Sequence, residues 1–123
     1  MLNEKRHLGL CRIEALCAGQ SFSLLIFEDY SSVVEGEEVY LLIKESEVAL
    51  SKSLPLDISI SNCIQCTVES INIGEILCES QLVFGEQRIS SIITSDSAKR
   101  LGLGIGDTVY ALIKANEIYL ERL

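Results

Sequence analysis

The chain has 123 residues, a formal net charge of −8 and a hydrophobic fraction of 48%, enough for one domain or for two small modules that share a core. This acidity argues against nucleic-acid binding, which requires clustered Lys and Arg, and the four Tyr and three Phe come with no Trp for base stacking. No apolar run reaches the length of a membrane span and the N-terminus lacks a signal peptide, so we expect a cytoplasmic protein.

In chain order, the sequence reads as a series of short strands, each an apolar or alternating run bounded by turn residues. One segment, residues 95–104, has instead the signals of a short helix, because Thr94 or Ser95 can cap its start and Gly102 can end it. The expected fold class is therefore all-β with one short helix. The predicted strands span residues 10–16, 21–28, 38–44, 47–52, 63–71, 75–84, 88–94, 108–114 and 117–123.

The sequence also contains an internal repeat. The stretch "GEEVYLLIK" at 36–44 returns as "GDTVYALIK" at 106–114, and upstream Cys11, Glu14 and Leu16 match Cys66, Glu69 and Ile71. Upstream, the two members of each matched pair are separated by fewer residues than the two members of each downstream pair. The first copy is therefore the shorter of the two, and it lacks the part that in the second copy holds one strand and the helix.

The repeat predicts a first, truncated module over residues 1–54 and a second, complete module over residues 55–123. Pro55, the only proline, marks the linker between them. A module of about five short strands and one helix resembles a small Greek-key barrel of the OB type. The expected architecture is two OB-like Greek-key β-barrel modules in tandem.

The five cysteines indicate reduced thiols, because their number is odd and no secretion signal precedes them. "CIQC" at 63–66 has the spacing of a metal knuckle, but no second Cys or His pair follows it. The alternatives are a zinc site and free thiols that pack as small hydrophobic groups, and the missing second pair favours free thiols. The four thiolates of the zinc alternative would be Cys11, Cys17, Cys63 and Cys66.

Lys114 ends the strand 108–114, which is apolar on both faces and is therefore expected to be covered on both. A lysine there either extends to water or pairs with an anion. Thr94 and Ser97 at the start of the helix can likewise cap it or add hydroxyl donors for an anion. Both alternatives are open at each position.

Three stretches together resemble a known family: "SISNCIQCTVESI", "IITSDSAKRLGLGIGDTV" and "ALIKANEIYL". The span 58–123 is similar to the molybdate-binding module of the molbindins, also called Mop or TOBE domains, and the first half is similar as a degenerate copy. The resemblance implies binding of molybdate or tungstate without an organic cofactor, with no direct cation ligands, and at interfaces between modules. It also implies a homo-oligomer, namely a trimer.

The resemblance also implies the site residues. Two departures weaken it: Ser61 replaces the family's arginine, and "GEIL" at 74–77 puts Glu75 where a second class of anion site would lie. In the first copy, Arg6 aligns with Ser61 and Lys44 with Lys114, which suggests a composite site between modules. The candidate oxyanion-binding residues are Ser59, Ser61, Thr94, Ser97 and Lys114, with Arg6 and Lys44 as further candidates.

No nucleophile–base pair, phosphate loop or metal-ligand cluster stands out, so we do not expect an enzyme. The leading hypothesis is an intracellular oxyanion-binding protein for molybdate or tungstate storage or homeostasis, with neither nucleic acid nor membrane as a partner. The alternatives are the ligand-sensing domain of a molybdate-responsive regulator or importer, and a structural module that has lost its ligand.

Overall fold

A computed structural model describes residues 2–7, 10–27, 34–55 and 57–122 of the chain, with the backbone alone at 2–7, 10, 11 and 27. These residues contain ten strands and one α-helix, so the predicted fold class, all-β with one short helix, is confirmed. The strands are β1 Leu2–His7, β2 Leu10–Cys17, β3 Gln20–Phe27, β4 Val39–Ile43, β5 Ala49–Ser51, β6 Asn62–Ile73, β7 Leu77–Phe84, β8 Gln87–Thr94, β9 Thr108–Ile113 and β10 Ile118–Arg122; the helix α1 is Ser95–Leu101.

The observed elements match the predicted ones except for one additional strand and small shifts at element ends. Strand β1 is not among the predictions, because "LNEKRH" has no apolar alternation; its pairing with β2 makes it a strand. Within the segment 95–104 the helix ends at Leu101, as Gly102 predicts: Gly102 takes the left-handed conformation (φ 62°) and its N–H reaches back to Ala98 O and Lys99 O.

Three antiparallel sheets organise the described residues. Strands β1, β2 and β3 form one sheet in chain order, and a second sheet has the order β5-β9-β6-β7-β8. The third consists of β10 and β4. The larger sheet curls, so that Ser91 Oγ of β8 donates to Val48 O, just before β5, at 2.7 Å.

The two copies of the repeat exchange their last strands. When the two copies are aligned, β4 corresponds to β9 and β5 to β10. Strand β5 nevertheless pairs with β9 of the second copy, and β10 pairs with β4 of the first. A short 3₁₀ turn at residues 45–47 follows β4, and another at residues 115–117 follows β9. Each turn leads into the strand that pairs with the other copy. The module boundary after residue 54 and the shorter first module remain predictions.

Two equivalent ion pairs hold the exchanged strands. Lys52 Nζ, just after β5, lies 3.2 Å from Asp107 Oδ2, and Arg122 Nε, at the end of β10, lies 3.1 Å from Glu37 Oε2. The two cations occupy equivalent positions of the repeat, and so do the two acids. In each copy the acid also accepts the backbone N–H of the residue three positions before it. The duplication has thus kept a reciprocal contact between the copies.

A single hydrophobic core contains residues of both copies. Phe22 of β3 and Phe84 of β7 pack with ring centroids 5.9 Å apart, and both are buried. In β9, Val109, Ala111 and Ile113 are fully buried, and Leu112 on the opposite face is buried as well, as the apolar character of both faces predicts. The copies are therefore packed as one unit.

Candidate functional site

Lys114 and Ser61 lie beside each other at adjacent strand ends. Asn62, the first residue of β6, pairs with Ile113, the last residue of β9. Ser61, just before β6, and Lys114, just after β9, are therefore the next pair of residues beyond these strand ends. Both side chains are exposed, as is that of Ser59. Among the described residues, no ion pair engages Lys114. A cation and a hydroxyl from distant parts of the sequence thus share one surface.

The buried side chain of Asn62 connects the strand ends that carry Ser61 and Lys114. It is 1% exposed, and its Nδ2 donates to Ile113 O at 3.0 Å and to Ser23 O at 2.9 Å. Its Oδ1 accepts the Ser23 N–H at 2.7 Å. A single amide therefore joins β6, β9 and the first copy's β3 directly behind Ser61 and Lys114.

Thr94 and Ser97 form a second group of donors at the start of α1. Thr94 is the N-cap, and its Oγ1 accepts the Ser97 N–H at 3.2 Å while lying 2.9 Å from Ser97 Oγ. Arg100 Nη2 donates to Ser97 Oγ at 3.2 Å. Sequence reasoning missed Arg100 as a contributor, although its spacing of three from Ser97 on a helix places the two side chains on one face.

These two groups lie at opposite ends of β6. Ser61 and Lys114 are at its first residue, whereas Thr94 pairs with Leu77, and Ser95 Oγ donates to Gly74 O just past the last residue of β6. The strand has 12 residues, roughly 40 Å of chain at about 3.3 Å per residue. Within one chain, the structure therefore does not bring the lysine to the helix start.

Lys44 has different neighbours from Lys114. It is exposed and lies on the rim of a groove of about 1090 Å³ between β4 and β8, which Arg88 and Ser90 also line. Arg88 is engaged with Glu69 through two hydrogen bonds of 3.0 and 3.1 Å, and these lower the pKa of the Glu69 carboxyl. Arg6 lies opposite Cys11 in the β1–β2 pair, and its side chain is outside the described atoms. A composite site with Arg6 remains a prediction.

Comparison with known proteins identifies the family. The TOBE domain family matches residues 58–120, just over half of the chain. The chain belongs to the TOBE domain family. The resemblance to molbindin or Mop domains that the sequence predicts is thereby confirmed.

Several relatives resemble the TOBE chain over a part of their own length. The molybdenum import ATP-binding protein ModC of Brucella abortus (strain 2308) is 36% identical over 78 residues, which cover 63% of this chain and 22% of ModC. MopA of Rhodobacter capsulatus, a molybdenum-pterin-binding protein, is 35% identical over 55% of this chain and 26% of MopA. The molybdenum transport protein ModE of Azotobacter vinelandii is 31% identical over 69% of this chain and 32% of ModE. The chain thus spans between a fifth and a third of these relatives.

The fold of the TOBE chain is that of a protein of solved structure. The cytoplasmic molybdate-binding protein ModG superposes with a TM-score of 0.90 at 24% identity, covering 98% of this chain and 89% of ModG. At that identity the match establishes the fold, two OB-like barrel modules in tandem. The one helix among the described residues has seven residues, too few to cross a membrane.

The cysteines of the TOBE chain pack as hydrophobic groups where they are described. Cys66 and Cys78 are buried, and burial raises the pKa of the Cys66 thiol to about 11. Cys63 and Cys66 project to opposite faces of β6, so they cannot share one metal ion. Among the described residues, no three His, Cys, Asp or Glu side chains cluster around a possible metal position. The side chain of Cys11 lies outside the described atoms.

Proposed function

We propose that this TOBE chain binds a tetrahedral oxyanion, molybdate or tungstate, reversibly in the cytoplasm for storage or homeostasis. The observation that carries the proposal is the placement of Ser61 beside Lys114 at paired strand ends, on a frame fixed by Asn62. The names of the relatives point to the same ligand: three refer to molybdenum and one to bound molybdate.

The chemistry of the candidate residues suits such a ligand. A tetrahedral oxyanion with two negative charges has only acceptors, so its pocket should present only donors. The ammonium of Lys114 supplies charge, and the hydroxyls of Ser59, Ser61, Thr94 and Ser97 supply directed hydrogen bonds. Binding of this kind needs no general base or nucleophile, and we propose no catalysis.

The separation of the two donor groups supports an oligomeric site. Because Lys114 and Thr94 lie at opposite ends of β6, a pocket that uses both requires a second copy of the chain. We therefore propose a homo-oligomer, a trimer by resemblance, in which neighbouring copies contribute different donors. Arg6 and Lys44 are further candidates for such a shared pocket.

Calorimetry tests the proposal directly. We expect heat from molybdate and tungstate but not from sulfate, whose smaller radius fits the same pocket poorly. Lys114→Met should weaken binding at least tenfold, because it removes the charge from a charge-assisted contact. Lys99→Met, an exposed lysine in the last turn of α1, is the matched control and should bind like the wild type. A wild-type protein that is silent with all three anions would refute the proposal.

The second candidate function is a ligand-sensing domain, and one observation favours it: the relatives ModC and ModE are three to five times longer than the matched region. A sensor acts through a partner, whereas a storage protein is expected to purify alone. Affinity purification from the native cells, with and without molybdate, separates the two functions.

A further inference from the structure

Two amide side chains join β3 of the first copy to β6 of the second. The two strands belong to different sheets, so no backbone ladder connects them. Asn62 pairs with the backbone N–H and C=O of Ser23, and Gln20 pairs in the same way with those of Gln65, at 3.1 and 3.0 Å. The partners run antiparallel, 20 opposite 65 and 23 opposite 62. Side-chain amides thus take the place of a strand-to-strand ladder.

Of the two amides, only Asn62 lies at the candidate site. It is 1% exposed, whereas the Gln20 contact is open to solvent, and Asn62 makes a third hydrogen bond, to Ile113 O. An Asn side chain can make about four hydrogen bonds, so three of its positions are filled. Removing this amide would take one hydrogen-bond partner from the Ser23 N–H, from Ser23 O and from Ile113 O, the first two partly buried and the last buried, which is costly.

We propose that Asn62 is the positioning residue of the oxyanion site, and that through Asn62 strand β3 of the first copy supports the pocket of the second copy. Asn62 directly follows Ser61, and Ile113 directly precedes Lys114. The amide therefore sets the spacing between the two strand ends that carry the side chains of Ser61 and Lys114. This inference rests on the proposed function, and it gives the degenerate copy a role that needs no ligand-binding side chain of its own.

A purely structural role predicts a different result, and two matched variants distinguish it. Gln20→Leu removes the same type of amide contact between the same strands, one contact further along the pair. Ser91→Ala removes another buried hydrogen bond between the copies, from Ser91 Oγ to Val48 O, on the β5 side of β9 and not on the β6 side that carries Ser61. Both should lower the urea midpoint of unfolding and leave the molybdate affinity within about twofold of the wild type.

The test is molybdate calorimetry on the full chain, at a temperature where circular dichroism shows each variant folded. Asn62→Leu has a similar size and no polar atoms; Asn62→Ser leaves room for water and serves if the leucine variant does not fold. We expect either to weaken molybdate binding on the order of tenfold, as the loss of a supporting partner does in metal sites. In ¹H–¹⁵N spectra without molybdate, the amide signals of Ser61 and Lys114 should shift in the Asn62 variants but not in Gln20→Leu, whose contact lies at Gln65 opposite Tyr110.

The outcomes separate the two proposals. If the wild type binds and the Asn62 variants bind equally well, the positioning role is overturned while the proposed function stands. The same holds if Gln20→Leu and Ser91→Ala weaken binding as much as the Asn62 variants do. If the wild type does not bind molybdate or tungstate, both proposals fall.

Discussion

Strands β4 and β9 carry nearly the same letters, yet their environments differ. Tyr40 and Leu42 of β4 are 56% and 45% exposed, whereas Leu112 of β9 is 7% exposed and Tyr110 is partly buried. Strand β9 lies between β5 and β6, while among the described residues β4 pairs with β10 alone. The comparison shows that a repeated apolar pattern makes both strands, and that neighbouring strands then decide how much of each is covered.

The lysines that end these strands differ in the same way. Lys114 has Ser61 beside it and the buried amide of Asn62 behind it. Lys44 instead lies on the rim of a groove with Ser90 and with Arg88, which is engaged with Glu69. Identical residues at equivalent positions thus have different neighbours, and the predictions below test this difference and the packing of the two copies.

The largest effect is expected from Phe22→Ala. Truncating a buried phenylalanine in a shared core should cost about 3–5 kcal/mol of unfolding free energy. Because Phe22 packs on Phe84, the wild type and the variant should each unfold in one transition that includes both copies. Urea unfolding followed by circular dichroism measures this. Leu16→Ala, at a side chain 57% exposed, is the control, and a variant whose second copy stays folded would show that the copies are independent.

An alkaline loss of stability is the next largest effect. Burial raises the pKa of Cys66 from 9.0 to about 11, so the folded state holds this proton more tightly than the unfolded state. The associated stability, about 3 kcal/mol at 1.36 kcal/mol per pKa unit, is present below the unfolded pKa and is lost as the pH rises through the folded one. Burial also raises the pKa values of Cys17 and Cys78, which adds to the same trend.

Urea unfolding between neutral pH and the raised pKa of Cys66 measures this trend. Cys66→Val keeps the volume, removes the ionisable group and should flatten the curve. An unchanged slope in the valine variant would assign the alkaline loss to other groups.

A gain of affinity is expected from Ser61→Arg, which restores the arginine that the family resemblance implies. A forked guanidinium beside Lys114 adds charge-assisted hydrogen bonds, so molybdate affinity should rise about tenfold. Calorimetry compares this variant with Ser53→Arg, an exposed position in the linker with the same change in net charge. An equal gain from both variants would attribute the effect to net charge alone.

The smallest effect concerns the reciprocal ion pairs. Lys52→Met and Arg122→Met should each lower the melting temperature slightly, and less so at high salt, because these pairs are partly exposed. Lys52→Met should have the larger effect, since Lys52 Nζ also donates to Gly102 O at 2.9 Å. Thermal unfolding at low and high salt measures both. A larger loss from Arg122→Met would contradict the added contribution of the Lys52–Gly102 hydrogen bond.

The same pair has a pH signature. The Gly104 N–H and Lys52 lower the pKa of the Asp107 carboxyl below its usual 3.8. Its contribution to stability is therefore present above about pH 4 and is lost as the pH falls through the lowered pKa of the folded state. Lys52→Met should reduce this acid-side loss but not abolish it, because the Gly104 N–H remains.

Much of the fold could be predicted from sequence because its signals are local. Apolar runs between turn residues predicted nine of the ten strands in the described residues, and Thr94 and Gly102 predicted both ends of α1. Strand β1 was missed because its residues are polar and only pairing with β2 makes it a strand. The membership of the candidate site came from the family resemblance, while Arg100 and Asn62 emerged only with the geometry.

By itself, the sequence determined the period-two patterns, the helix caps and the duplication, because each depends on residues close together in the chain or on a direct repeat. The tertiary structure decided which strands pair. A repeat with equivalent letters permits β5 to pair with β4 or with β9, and no local signal distinguishes the two. The exchange of β5 and β10 between the copies follows from the 3₁₀ turns after β4 and β9 and from one core shared by both copies. The same packing placed Ser61 beside Lys114 and the buried amide of Asn62 behind them.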